Sequence, residues 1–86
     1  MNEVIKEKVS VITGYDRIKG LVMPKKMRGQ GRDYLFSKLT YHHKIRQGRP
    51  VLHIFHVTDG SIDFRLQLDT ESLHWMLEEV CDGSTT

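Results

Sequence analysis

YLFSKLTYHHKIRQGRPVLHIFHVTDGSIDFRLQL, residues 34–68, is the stretch whose reading decides the fold. Apolar and polar side chains alternate along most of it, the repeat of a strand with one buried face. Two turn signals cut it. Gln47-Gly48 lies between two β-rich runs, and a two-residue turn there pairs His42 with His53 and Thr40 with Phe55. Asp59-Gly60 is a type I′ signal that pairs Val57 with Ile62, Phe55 with Phe64, His53 with Leu66 and Val51 with Leu68. The two registers are set independently. Both nevertheless put Tyr34, Phe36, Thr40, His42, Val51, His53, Phe55, Val57, Ile62, Phe64, Leu66 and Leu68 on one face. A slip of one residue would turn that set to water, so the agreement fixes the face.

Downstream, Leu73, Met76, Leu77 and Val80 have helical spacing, but a helix would point Trp75 away from the stripe and has no Ser/Thr-x-x-Glu capping box. A tight turn at Thr70-Glu71 followed by a strand puts Leu73, Trp75 and Leu77 on the face of Leu66 and Leu68. The strand is the better reading, with Trp75 as core anchor. This register sets Glu78 opposite Asp63, an unfavourable like-charge pair. Upstream, Lys8 to Thr13 alternates and ends at Gly14. Arg17 to Met23 reads as a short extended segment cut off by Pro24, which cannot donate to a ladder. Met27-Arg28 is a further short strand before a Gly29-Gln30-Gly31 turn. The expectation is an all-β domain over residues 1–83, an antiparallel meander of about six strands. It forms a small barrel or strongly curved sheet and ends in a disordered tail at residues 84–86. The second face of the central hairpin carries Leu35, Leu39, Tyr41, Leu52 and Ile54. Either the N-terminal strands fold back over that face or a partner covers it.

The charge is sorted along the chain. Arg17 to Arg49 contains ten bases and one acid, a net of +9, whereas residues 50–86 contain one base and seven acids, a net of −6. Such separation suits a polyanion-facing side or head-to-tail self-association. Lys25, Lys26, Arg28 and Arg32, among the glycines of Pro24 to Arg32, are candidate phosphate contacts; Lys44, Arg46 and Arg49 form a second clamp. Tyr34 and Tyr41 lie between the clusters, where aromatic rings stack on unpaired bases. The plainer alternative is that lysine and arginine on strand edges block aggregation.

The chain resembles a family of small uncharacterised bacterial domains at Gly31-Arg32-Asp33-Tyr34, at Phe64-Arg65, at the turn following Asp69 and at Trp75, Leu77 and Val80. That pattern is Gly-Arg-x-Tyr, a later Phe-Arg strand, an Asp turn and Trp-x-Leu-x-x-Val. The resemblance covers about residues 27–83. It implies an all-β fold and, because some members are thought to be encoded near DNA-repair polymerases, a DNA-linked role; it supplies no catalytic residues.

Other classes find little support. The single cysteine, Cys81, cannot form an internal disulfide, which favours a cytoplasmic setting. No apolar run approaches the ~20 residues of a membrane span. Cys81 stands among Glu78, Glu79 and Asp82 with no neighbouring base to activate it. Nucleophile-elbow, Walker and dinucleotide motifs are absent, so no catalytic residue, cofactor or small-molecule substrate is expected. His42 and His53 face each other, as do His56 and Asp63, but spacing places no third ligand for zinc. Two functions follow. One is non-enzymatic nucleic-acid binding through the basic loops. The other is a protein-interaction or homodimer module using the Leu35/Leu39/Tyr41/Leu52/Ile54 face.

Overall fold

A computed structural model describes residues 2–46 and 48–82. Those residues are all-β: β1 (Asn2–Asp16), β2 (Leu21–Gly29), β3 (Arg32–Leu35), β4 (Lys38–Arg46), β5 (Val51–Thr58), β6 (Ile62–Asp69) and β7 (Trp75–Asp82). The seven strands form one antiparallel sheet of order β3-β2-β1-β7-β6-β5-β4, curled into a half-barrel. The strand expected over Leu73–Val80 is present as β7, which begins at Trp75. Residue 47 and the expected tail at 84–86 lie outside the described residues.

The core is the concave face. Met27, Phe55, Val57, Phe64, Leu66 and Leu77 are its fully buried members, with Val9, Tyr34, Phe36, Leu39, Leu68, Trp75 and Val80 packed around them. Tyr34 and Phe36 meet Phe64 edge-on, with ring centroids 5.0 and 5.3 Å away. The expected inward face is therefore present, but each hairpin pairs two residues differently from the expected register. His42 lies opposite Phe55, Phe55 opposite Leu66, and Leu66 opposite Leu77. Each connection is longer than a two-residue turn. A shift of two preserves the alternation, so the apolar set still faces inward.

Side-chain capping explains the longer connections at Asp59 and Asp69. Asp59 Oδ1 accepts the N–H groups of Ser61 and Ile62 at 2.9 and 2.8 Å, and Asp69 Oδ1 accepts those of Glu71 and Ser72 at 2.8 and 3.2 Å. An aspartate that satisfies loop donors in this way substitutes for the backbone bond of a two-residue turn. Leu73 consequently belongs to the loop, not to the core face as expected. Its φ is +64° and its side chain is 70% exposed.

Bulges make the remaining differences. The β4–β5 register shifts between Leu39 and Tyr41, which turns Leu39 inward and leaves Thr40 exposed, its hydroxyl donating to the His56 carbonyl at 2.9 Å. The β6–β7 register shifts beside Glu78, so Glu79 stands opposite Arg65 and Asp63 opposite Cys81. The Glu78–Asp63 clash is thereby avoided. On the far side of the sheet, β2 continues through Pro24, which stands opposite Thr13 beside a register shift, the irregular setting in which a strand accommodates a residue without an N–H. Residues 17–20 are a loop rather than an extended segment.

Strand β1 joins the two halves. Its first part pairs with β7 and its second with β2. The N-terminal strands thus extend the sheet edge to edge and do not fold over its convex face. Gly29 permits their close approach, since a Cβ there would stand 2.6 Å from the Val9 Cγ1. The two sheet edges meet where β3 passes into β4. Phe36 N–H donates to the Lys25 carbonyl and Ser37 N–H to the Thr58 carbonyl, at 2.9 and 2.8 Å.

Candidate nucleic-acid interface

Antiparallel alternation places residues 17–20, 48–50 and 70–73 at one end of the half-barrel. At that end the concave face opens as a groove of about 290 Å³ lined by Gly20, Leu21, Val22, His53, Phe55, Leu68 and Thr70. Its rim is built locally. Asp16 Oδ1 accepts the Ile18 and Lys19 N–H groups, and Gly20, at φ +64°, donates its N–H to the Asp16 carbonyl at 2.8 Å. These bonds to its charged form hold the Asp16 carboxyl below the ordinary carboxylate value. Asp69 is lowered for the same reason, through the Glu71 and Ser72 N–H groups. Thr70 fastens the third loop to the start of β5, its hydroxyl donating to the Val51 carbonyl at 2.7 Å.

His53 edges the groove and is hydrogen-bonded to His42, with Nε2 of His42 2.8 Å from Nδ1 of His53. The rings stack at 5.1 Å and continue through Phe55 to Trp75, whose centroids are 5.4 Å apart. Desolvation lowers the pKa of both histidines; the positive field of His53, His43 and Lys44 adds to it at His42, and that of Lys44 at His53. Both shifts favour the neutral rings, and the His53 ring forms an aromatic edge of the groove.

The nine residues expected to form the site fall in different places. Lys44, on β4 opposite His53, Arg46 and Arg49 belong to the groove end. Arg17 and Lys19, in the loop that carries Gly20, belong to it too. Lys25 sits exposed at the β2 bulge with its aliphatic stem over Gly14. Lys26 and Arg28 are engaged by Asp33, at 3.8 and 2.9 Å. Arg32 lies over the Tyr34 ring, its guanidinium carbon 5.5 Å from the centroid. The Tyr34 ring is thus occupied by Arg32 and Phe64 and does not offer a free stacking surface. Arg28 and Arg32 flank the β2–β3 turn, at the end of β2 away from residues 17–20.

Tyr41 is exposed on the convex face, where its ring lies 5.1 Å from His43 and 5.6 Å from His56. His56 stands opposite Arg65, not Asp63 as expected. Desolvation and then the Arg65 charge lower its pKa. A shallow cleft of about 260 Å³ beside it is lined by Asp63, Arg65, Glu79 and Cys81. Among the described residues no group of three or more histidine, cysteine or carboxylate side chains is arranged to hold a metal ion.

Sequence reading missed the groove itself. Leu21, Val22 and Thr70 come from segments read as a truncated strand and a tight turn, and they meet His53 only through the curl. Arg17 and Lys19 were legible as part of the basic block, but no spacing tied them to Lys44. No protein-family model, curated protein or solved structure matches this chain.

Proposed function

We propose that this protein is a non-enzymatic domain that binds nucleic acid at the groove end of the half-barrel, through the phosphate backbone. The observation that carries the reading is the strand topology, which puts the loops and strand ends bearing Arg17, Lys19, Lys44, Arg46 and Arg49 at one end. The carboxylates at that end, Asp16, Asp69 and Glu71, are outnumbered by these five cations. An excess of cations attracts a polyanion and releases its counterions. The resemblance of the Gly31–Tyr34 and Phe64–Val80 motifs to domains with a DNA link agrees with it.

The alternative of a homodimer or protein-interaction face has less support. Leu39 turns inward and Leu52 and Ile54 are buried, which leaves Leu35 and Tyr41 as the exposed members of that set, on different strands. Fluorescence anisotropy of labelled DNA and RNA at two salt concentrations tests the proposal. Affinity should fall with salt at a log–log slope of about 0.7–0.9 per phosphate contacted. Lys44→Glu with Arg46→Glu should abolish binding, whereas Lys26→Glu with Arg28→Glu should weaken it far less. Equal losses from the two pairs, or no binding at low salt, would overturn the assignment.

A further inference from the structure

The groove and the basic rim together name a narrower ligand class, and this inference rests on the nucleic-acid reading above. We propose that the groove takes one unpaired nucleobase of a single strand while the rim cations hold the phosphates on either side of it. Leu21, Val22, Phe55 and Leu68 supply apolar walls, and the His53 ring, held by its hydrogen bond to His42, supplies an aromatic edge. A volume of about 290 Å³ lies at the small end of ligand sites, suited to one planar group. In a duplex the bases are stacked and paired, so none can enter without being extruded at an energetic cost. Single-strand binders combine a positively charged track with a surface on which a base lies flat. Here Lys44 pairs across the strands with His53 of the groove, and Arg17 and Lys19 belong to the loop that carries Gly20 of its lining.

The probes are a labelled oligothymidylate, the same strand as a duplex, an abasic strand of equal length and free thymidine monophosphate. The single strand should bind about 5- to 100-fold more tightly than the abasic strand and more tightly than the duplex. Free nucleotide should bind far more weakly than the strand, because it lacks the flanking phosphates. Val22→Phe, a change at a residue 40% exposed at the mouth, should bring the single-strand to abasic ratio toward one. Equal affinity for single and abasic strands would overturn the base site while leaving phosphate binding intact. No binding of any strand would overturn both. A ratio unmoved by Val22→Phe in a variant that melts like wild type would place the base elsewhere and overturn the groove assignment. Nucleotide binding as tight as the strand would assign the groove to a free ligand instead.

Discussion

His42, His53 and His56 are where solution pH reaches the stability of this protein. Each has a folded-state pKa below the ordinary 6.5, with desolvation as the first cause. Between the folded and unfolded values the unfolded chain binds more protons, so their contribution is complete above about pH 6.5 and is lost as pH falls through and below that value. The melting temperature should decline between pH 7 and pH 5, and replacing the three by glutamine should flatten the decline. An unchanged slope in the triple variant would show that other groups carry it. Asp16 and Asp69 act in a separate window: their lowered pKa values make their contribution vanish only below about pH 4. The His42–His53 pairing itself was legible in the sequence in part. Both residues were expected on the inward face, which parity decides, but as direct cross-strand partners. They are instead diagonal neighbours joined by a hydrogen bond, because the loop between β4 and β5 is longer than a two-residue turn.

At the scale of elements, two loops use one device with different success. In both, an aspartate side chain accepts two loop N–H groups, and the residue four positions later donates back to the aspartate carbonyl with φ near +64°. After Asp16 that residue is Gly20; after Asp69 it is Leu73. A left-handed conformation costs an L-residue about 1–2 kcal/mol, and the extra freedom glycine loses on folding costs only about 0.5–1 kcal/mol. Leu73 is 70% exposed, so little burial is forfeited by removing its side chain. Leu73→Gly should therefore stabilise the protein by up to about 1 kcal/mol in urea unfolding, with an unchanged m-value. A loss of stability would mean that the exposed leucine makes a contact worth more than its strain. Turn signals in the sequence located these hairpins correctly at Asp59-Gly60 and after Asp69. They could not reveal loop length, because an aspartate serves equally in a type I′ turn and in a side-chain-capped loop. The bulges beside Thr40, Lys25 and Glu78 were invisible for a related reason. Each inserts one residue whose polar character fits either face, and only pairing with the neighbouring strand exposes the insertion.

For the molecule as a whole, the sorting of charge has an energetic cost. Cations gathered at one end repel one another in the folded state, more so at low ionic strength. Arg46→Glu should accordingly raise the melting temperature in low salt, by an amount that shrinks in high salt, while weakening nucleic-acid binding. A lowered melting temperature at both salt concentrations would show that Arg46 has a stabilising contact outweighing the repulsion. Composition, alternation of side chains and turn residues determined by themselves that the chain is all-β and antiparallel. They also fixed most of the inward-facing residues, because the two-residue period of a strand survives any register shift of two. Which basic residues share a surface was decided only by the tertiary structure. Strand topology leaves Arg28 and Arg32 at the β2–β3 turn, away from residues 17–20, and brings Lys44, Arg46 and Arg49 to the end that carries Arg17 and Lys19. Strand pairing is a long-range property, and no local pattern states which distant loop closes beside which.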